Sequence, residues 1–257
     1  MIKLGGQEVT KVMKGSQEIA AVYKGSQEVW SSKEDSYSTN ALSGSASRRA
    51  LTMKGWPNNL PTATFELWLK IPSGVPNQGL YSSVMGEFGS LGWSVCFNAG
   101  SPSSGNRSLQ LMDIGASDTY QWASFTSSFP HDVWTHICLM VTGSSKYGFI
   151  NGQRSFSMSI GTSYGGLLGK QLQIPGGITY RQTAFGAYFD ARVSDILRYS
   201  TSGFTPPTAP FQPDVNTHSL TNRGTEFIDY SKDPSSLTLT VGSNLKHNSV
   251  DQDTPFI

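Results

Sequence analysis

The sequence predicts an all-β protein: two antiparallel sheets stacked on each other, preceded by a short β-repeat arm. Three observations predict it. Short runs rich in Val, Ile, Leu and aromatic residues recur along the chain between turns of Gly, Ser, Asn and Pro. No window of helical length carries a 3.6-residue apolar period. The first thirty residues repeat one phrase at ten-residue spacing, as Gly5-Gly6-Gln7-Glu8-Val9, Gly15-Ser16-Gln17-Glu18-Ile19 and Gly25-Ser26-Gln27-Glu28-Val29.

The elements follow in order. In residues 1–30, each Gly-Ser between apolar-bearing segments predicts a two-residue hairpin turn with Gly at positive φ. That register places Val12 opposite Ile19 and Val22 opposite Val29. Pieces this short do not make an independently stable sheet, so Val9, Val12, Ile19, Val22, Tyr23 and Val29 are expected to dock on a partner, either copies of this chain or a larger assembly. A meander covering one end of the main domain is the other arrangement. Residues 31–50 are small and polar and form a linker into the first strand of a domain spanning 51–257.

Within that domain, FELWLKI (65–71) puts Phe65, Leu67, Leu69 and Ile71 on one face and Glu66, Trp68 and Lys70 on the other. GWSVCFN (92–98) does the same with Trp93, Val95 and Phe97, and SLQLMDI (108–114) alternates less strictly. WTHICLMV (134–141) is apolar on both faces, as a strand covered on both sides must be. Asn151-Gly152 between two strand-like runs is a strong hairpin signal. QTAFGAYF (182–189) and SLTLTV (236–241) complete the set.

Composition excludes several classes. With 19 basic and 18 acidic residues the net charge is +1, which gives no electrostatic footprint for nucleic acid or an anionic membrane. No run approaches the ~18 consecutive apolar residues of a membrane span, and the opening MIKLGGQEV has no apolar core of a secretory signal. The two cysteines, Cys96 and Cys138, lie inside strand-like runs and are expected to be buried free thiols.

The segments FELWLKI, then FPHDVWTHICLMVTGSSKYGFINGQ, then FGAYFDARVSDILRYSTSGFTPPTAPFQPD resemble, in this order, the laminin-G-like, concanavalin A-like lectin/glucanase jelly roll. The Trp-x-His strand leading to Asn-Gly is similar to that family's central hairpin. The Asp-x-Arg-Val run followed by Arg-Tyr and Phe-Thr-Pro-Pro resembles the version found in bacteriophage virion proteins, as does the closing segment with its Asp229-Tyr230-Ser231 turn and final Pro-Phe. VYKGSQEVW resembles short Gly-rich phrases at the start of phage tail and baseplate-associated proteins. The resemblance covers about residues 36–257 and implies a virion structural protein, held to the particle by its repeat, displaying a lectin-like sandwich, and assembled in the bacterial cytoplasm. Its partners would be other virion proteins, copies of itself, for which a trimer suits, and a host-surface glycan. A tail adhesin and a capsid decoration both satisfy it; a glycan-cleaving enzyme and a free lectin are the other occupants of the fold.

Glycoside hydrolysis needs two carboxylates flanking one bond. The nearest pair, Glu226 and Asp229 in TEFIDYS, is three residues apart and so on opposite faces of a strand. No enzyme is expected. His136, on one face between Trp134 and Cys138, reads as a packed core residue, and His131 beside Asp132 as a solvated one. The family resemblance implies a rim calcium in some members; Asp113, Asp118 and Asn106 flank one loop without the dense ligand spacing of such a site, and neither metal nor cofactor is expected. Asp190 is expected to pair with Arg192 or cap a turn. Sugar binding needs exposed aromatic platforms beside polar groups. Loop aromatics supply the candidates: Tyr120 and Trp122 with Asp118, Tyr164 in a glycine-rich loop, and Tyr180 beside Arg181. Each of them also fits an ordinary strand-end or core aromatic.

Overall fold

The computed structural model describes strand backbones at 3–4, 7–8, 13–14, 17–18, 21–24, 27–31 and 51–54, and residues 62–71, 73, 82–88, 92–98, 108–115, 119–160, 171–174, 182–183, 187–221, 231 and 238–241. The chain divides into two compact units, Met1–Ser36 and Tyr37–Ile257. No described residue is helical.

Among the described residues the first unit holds six short strands: β1 (Lys3–Leu4), β2 (Gln7–Glu8), β3 (Met13–Lys14), β4 (Gln17–Glu18), β5 (Ala21–Lys24) and β6 (Gln27–Ser31). They pair as three separate two-stranded hairpins. Lys14 lies opposite Gln17 and Lys24 opposite Gln27, so two residues connect the strands at each repeat, as the Gly-Ser spacing predicts. The third hairpin corrects one expectation. Beyond Tyr23↔Glu28 the register shifts, and Val22 lies opposite Trp30 instead of Val29. A β-bulge takes up the extra residue. Val9, Val12 and Ile19 lie outside the described residues.

The second unit contains β7 (Leu51–Lys54), β8 (Ala63–Lys70), β9 (Ser82–Phe88), β10 (Gly92–Asn98), β11 (Ser108–Ile114), β12 (Tyr120–Thr126), β13 (Thr135–Val141), β14 (Ser145–Ile150), β15 (Gln153–Ser159), β16 (Gln171–Ile174), β17 (Gln182–Thr183), β18 (Ala187–Ser194), β19 (Thr217–Thr221) and β20 (Thr238–Val241). One sheet has six strands in the order β15-β14-β13-β8-β18-β19; the other has eight, β12-β11-β10-β9-β16-β7-β20, with β17 beside β9. All pairs in both sheets are antiparallel except the short β17–β9 contact. The QTAFGAYF run splits between β17 and β18.

The core lies between the sheets. Phe65, Leu67 and Leu69 of β8, Ile137, Leu139 and Val141 of β13, and Tyr188, Ala191 and Val193 of β18 meet Trp93, Val95 and Phe97 of β10 and Leu109 and Leu111 of β11. For Phe65, Leu67 and Leu69 and for Trp93, Val95 and Phe97 these are the faces that alternation assigned. Phe65 packs edge-to-face on Trp93 at 4.8 Å and Phe125 on Phe156 at 4.9 Å, tying the two sheets together. Burial of each such side chain contributes about 1.5–3 kcal/mol.

The outer face of the six-stranded sheet is also buried. Residues 195–216 form a strap across it: Leu197, Tyr199 and Phe204 pack on Cys138, Met140 and Phe149, and Phe211 packs with Trp68, Phe189 and Leu220. Thr64 Oγ1 donates to the Ile196 carbonyl at 2.6 Å and accepts from Arg198 N. Arg198 grips Asp214 with two hydrogen bonds, at 2.5 and 2.6 Å, closing the strap on itself. The Asn151-Gly152 turn joins β14 to β15 with both residues at positive φ, as a two-residue hairpin requires. Gly152 serves a second purpose: its carbonyl accepts from Phe204 N at 2.9 Å, and a Cβ there would overlap the Phe204 carbonyl oxygen.

Asp190 stands at positive φ in the β18 bulge, where its carboxylate accepts from Phe211 N at 2.5 Å. Its expected partner, Arg192, turns instead to Glu66 on the neighbouring strand. Cys96 and Cys138 are buried and free, one in each sheet.

Candidate functional site

Strand β12 is the edge of the eight-stranded sheet. Its two faces are mixed: Gln121, Ala123 and Phe125 point toward the interior, while Tyr120 and Trp122 stand on the outer face at 45% and 39% exposure. Tyr120 lies opposite Ile114 and Trp122 opposite Met112. Cys96, Met112 and Ile114 form a buried apolar cluster on that same outer face. The backbone positions of Tyr120 and Trp122 therefore stand about 6.8 Å apart along the strand, beside this buried cluster. The other exposed large apolar side chains among the described residues are Val133 and Val215, so these are the two exposed aromatics there.

The position corrects the expectation that Tyr120 and Trp122 belong to a loop. Both lie in a regular strand, and the backbone pairing hidden in a Ser/Thr/Asp-rich context fixes which way they face. The turn before them is closed by Gly115 N donating to the Thr119 carbonyl at 2.8 Å. Each ring leaves part of its apolar surface to solvent, and exposed aromatic surface of this kind suits the C–H face of a pyranose. Asp118, Tyr164, Tyr180 and Arg181 lie outside the described residues, as do Asn106, Glu226 and Asp229.

A second cluster lies beneath the strap. Glu66 is fully buried; its Oε1 accepts from Arg192 Nε at 2.9 Å and Nη2 at 2.7 Å, and its Oε2 from Tyr199 Oη at 2.7 Å. His136 Nε2 completes the shell at 3.1 Å. Burial raises the Glu66 carboxyl, but the His136 hydrogen bond, the Arg192 and His136 charges and the Tyr199 hydroxyl outweigh it, leaving the carboxyl below its ordinary range. Tyr199 is pushed far up by burial and by Glu66, so it stays a proton donor. Arg192 lies 4.1 Å from the Phe211 ring centre. His136 is thus the packed, bonded histidine its strand face predicts. The sequence signal that misses this cluster is Glu66 itself: a single acid in a clean alternation carries no hint of the strap that covers it.

The third cluster bridges the sheets. Lys146 Nζ on β14 donates to Asp113 Oδ2 on β11 at 2.7 Å, with both side chains fully buried. Burial raises the Asp113 carboxyl against the opposing pull of the Lys146 charge and hydrogen bond. Asp113 faces the interior, whereas its sequence position had suggested a loop flank. His131, expected to be solvated, is half-buried, and its Nδ1 is buried with no partner among the described residues. Cys138 is held protonated by burial and by the Glu66 charge. No group of three or more His, Cys, Asp or Glu gathers among the described residues in a way that could hold a metal ion.

Residues 43–202 match the family described as the concanavalin A-like lectin/glucanases superfamily. The chain belongs to this family. Among solved structures, it is similar to a heptameric SAP-like pentraxin from Limulus polyphemus, with 14% identity, 82% of this chain and 97% of that one covered, and a TM-score of 0.47. It is similar also to a putative carbohydrate binding protein from Bacteroides ovatus, with 13% identity, coverage of 82% and 62%, and a TM-score of 0.49. A third is tailspike protein 2 of an Escherichia coli O157:H7 bacteriophage, with 10% identity, coverage of 64% and 26%, and a TM-score of 0.44. No curated protein matches the chain.

Proposed function

We propose that this chain is a non-enzymatic, glycan-binding protein of a bacteriophage particle, a tail-associated adhesin whose repeat arm attaches it and whose sandwich faces the host. The observation that carries the glycan reading is the pair of exposed aromatic rings, Tyr120 and Trp122, on the edge strand of a lectin-family sandwich. The strap occupies the outer face of the six-stranded sheet, so the ledge on the other sheet is the aromatic surface left open among the described residues. The non-enzymatic reading is supported by the carboxylates: Glu66, Asp113, Asp190 and Asp214 are each engaged by donors of the protein itself. The arm reading is supported by three hairpins too short to persist without a partner. Their ten-residue phrase resembles those of phage tail and baseplate proteins, which favours the tail over the capsid.

The test is a glycan array that includes bacterial surface polysaccharides, probed with the full chain and with Trp122→Ala. Removing an aromatic anchor from a binding surface costs about 2 kcal/mol or more, so affinity is expected to fall at least about thirtyfold. The thermal midpoint should hold, because this ring is a partly exposed one. Absence of any glycan ligand, or binding indifferent to Trp122→Ala and Tyr120→Ala, would overturn the reading.

A further inference from the structure

Trp93, Asp113 and Gln121 stand in one row across three adjacent strands, on the inner face of the eight-stranded sheet: Asp113 is directly opposite Trp93 on β10 and Gln121 on β12. Residues opposed in this way hold their Cβ atoms about 4.5–5.5 Å apart, so Asp113 stands between Trp93 and Gln121, whose longer side chains extend from the two flanking strands on the same face. Trp93 and Asp113 are fully buried, and Gln121 is partly so. Lys146 reaches in from the facing sheet to Asp113 Oδ2 at 2.7 Å. Yet Trp93 Nε1, Asp113 Oδ1 and Gln121 Oε1 are each buried without a hydrogen-bond partner among the described residues. In a native interior such atoms are almost always satisfied, by protein or by ordered water.

We propose that this row binds one ordered water molecule, linking the two sheets beneath the Tyr120–Trp122 ledge. The donor and acceptor inventory selects the ligand. Trp93 Nε1 offers a proton, while Asp113 Oδ1 and Gln121 Oε1 each require one. The occupant must therefore donate twice and accept at least once. Water does so with a single oxygen. An alcohol hydroxyl has only one proton to donate and leaves one acceptor orphaned. A cation is opposed by the Lys146 ammonium and the indole N–H, and an anion by the Asp113 carboxylate and the Gln121 carbonyl. Water's second lone pair remains for a further donor. The site also has a structural purpose: Gln121 lies between Tyr120 and Trp122 in the chain, so anchoring it inward holds the edge strand with both rings outward. This inference does not depend on the ledge binding a glycan.

The test is a high-resolution crystal structure of the full chain, paired with a water–protein ROESY spectrum in solution. The expected result is a density peak within about 2.6–3.2 Å of all three atoms, together with a cross-peak between water and the Trp93 indole N–H, assigned by its loss in Trp93→Phe. A structure in which the three atoms bond to other side chains, in which an organic or ionic group fills the row, or in which no peak is found would overturn the proposal. So would an indole N–H with no water cross-peak.

Discussion

Glu66→Ala is expected to destabilise the sandwich by about 3–5 kcal/mol, the cost of stranding buried charge when one partner of a buried pair is removed. For a domain of this size that corresponds to a fall of roughly 6–20 °C in Tm. Glu66 serves donors from three elements: Arg192 of β18, His136 of β13 and Tyr199 of the strap. Its loss leaves the Arg192 guanidinium without its anion and unhooks Tyr199, whose ring stacks on Phe204 at 3.8 Å. Chemical unfolding at neutral pH measures the effect. The pH dependence has a definite sign. Because the folded carboxyl sits below its ordinary value, its contribution is fully present above the unfolded value of about 4.3. It is lost as the pH falls through the depressed folded value. The stability gap between the natural protein and Glu66→Gln should therefore narrow only under acid conditions, as the natural protein weakens.

Lys146→Met is expected to cost a similar amount, about 3–5 kcal/mol, because it leaves Asp113 charged and unpaired inside the core. Here the pH dependence belongs to the variant. Asp113 is already raised by burial, and a carboxyl whose folded value is raised loses stability as the pH rises from its unfolded value to its folded one. Removal of Lys146 takes away the opposing pull, so the variant should regain stability on acidification, as Asp113 takes up a proton. Asp113→Leu combined with Lys146→Met should recover most of the loss, since buried ion pairs often yield to packed apolar residues without penalty. Urea unfolding of the single and double variants from pH 4 to pH 8 checks both expectations; a double variant no better than Lys146→Met would contradict them.

Much of the sandwich was legible because its strands obey the simplest rule, alternation with the apolar side inward. Phe65, Leu67 and Leu69, and Trp93, Val95 and Phe97, fall in the core as their spacing requires. The Asn151-Gly152 hairpin was legible because few other residue pairs adopt two successive positive φ values. Strand β12 was not, because Tyr120 and Trp122 point outward and Gln121 points inward while Ala123 and Phe125 also point inward, so no clean alternation of apolar and polar residues marks it as a strand. The outer face of the six-stranded sheet was hidden for a different reason. Glu66, His136 and Arg192 are joined by hydrogen bonds across 70 and 126 residues of chain, and nothing local marks them as partners. The Val22 register in the arm failed by one residue, because a bulge leaves no fixed mark on composition. Of the proposed glycan contacts, Tyr120 and Trp122 lie among the described residues, and they share a strand face.

The proposed division of labour between an attaching arm and a displayed sandwich is tested most directly on assembled particles. Particles formed with the full chain, and with a chain lacking residues 1–30, would be purified and compared by quantitative mass spectrometry. The full chain is expected in the particle, and the shortened chain is expected to remain free with its sandwich folded. Equal incorporation of both chains, or absence of the full chain from the particle, would contradict the account.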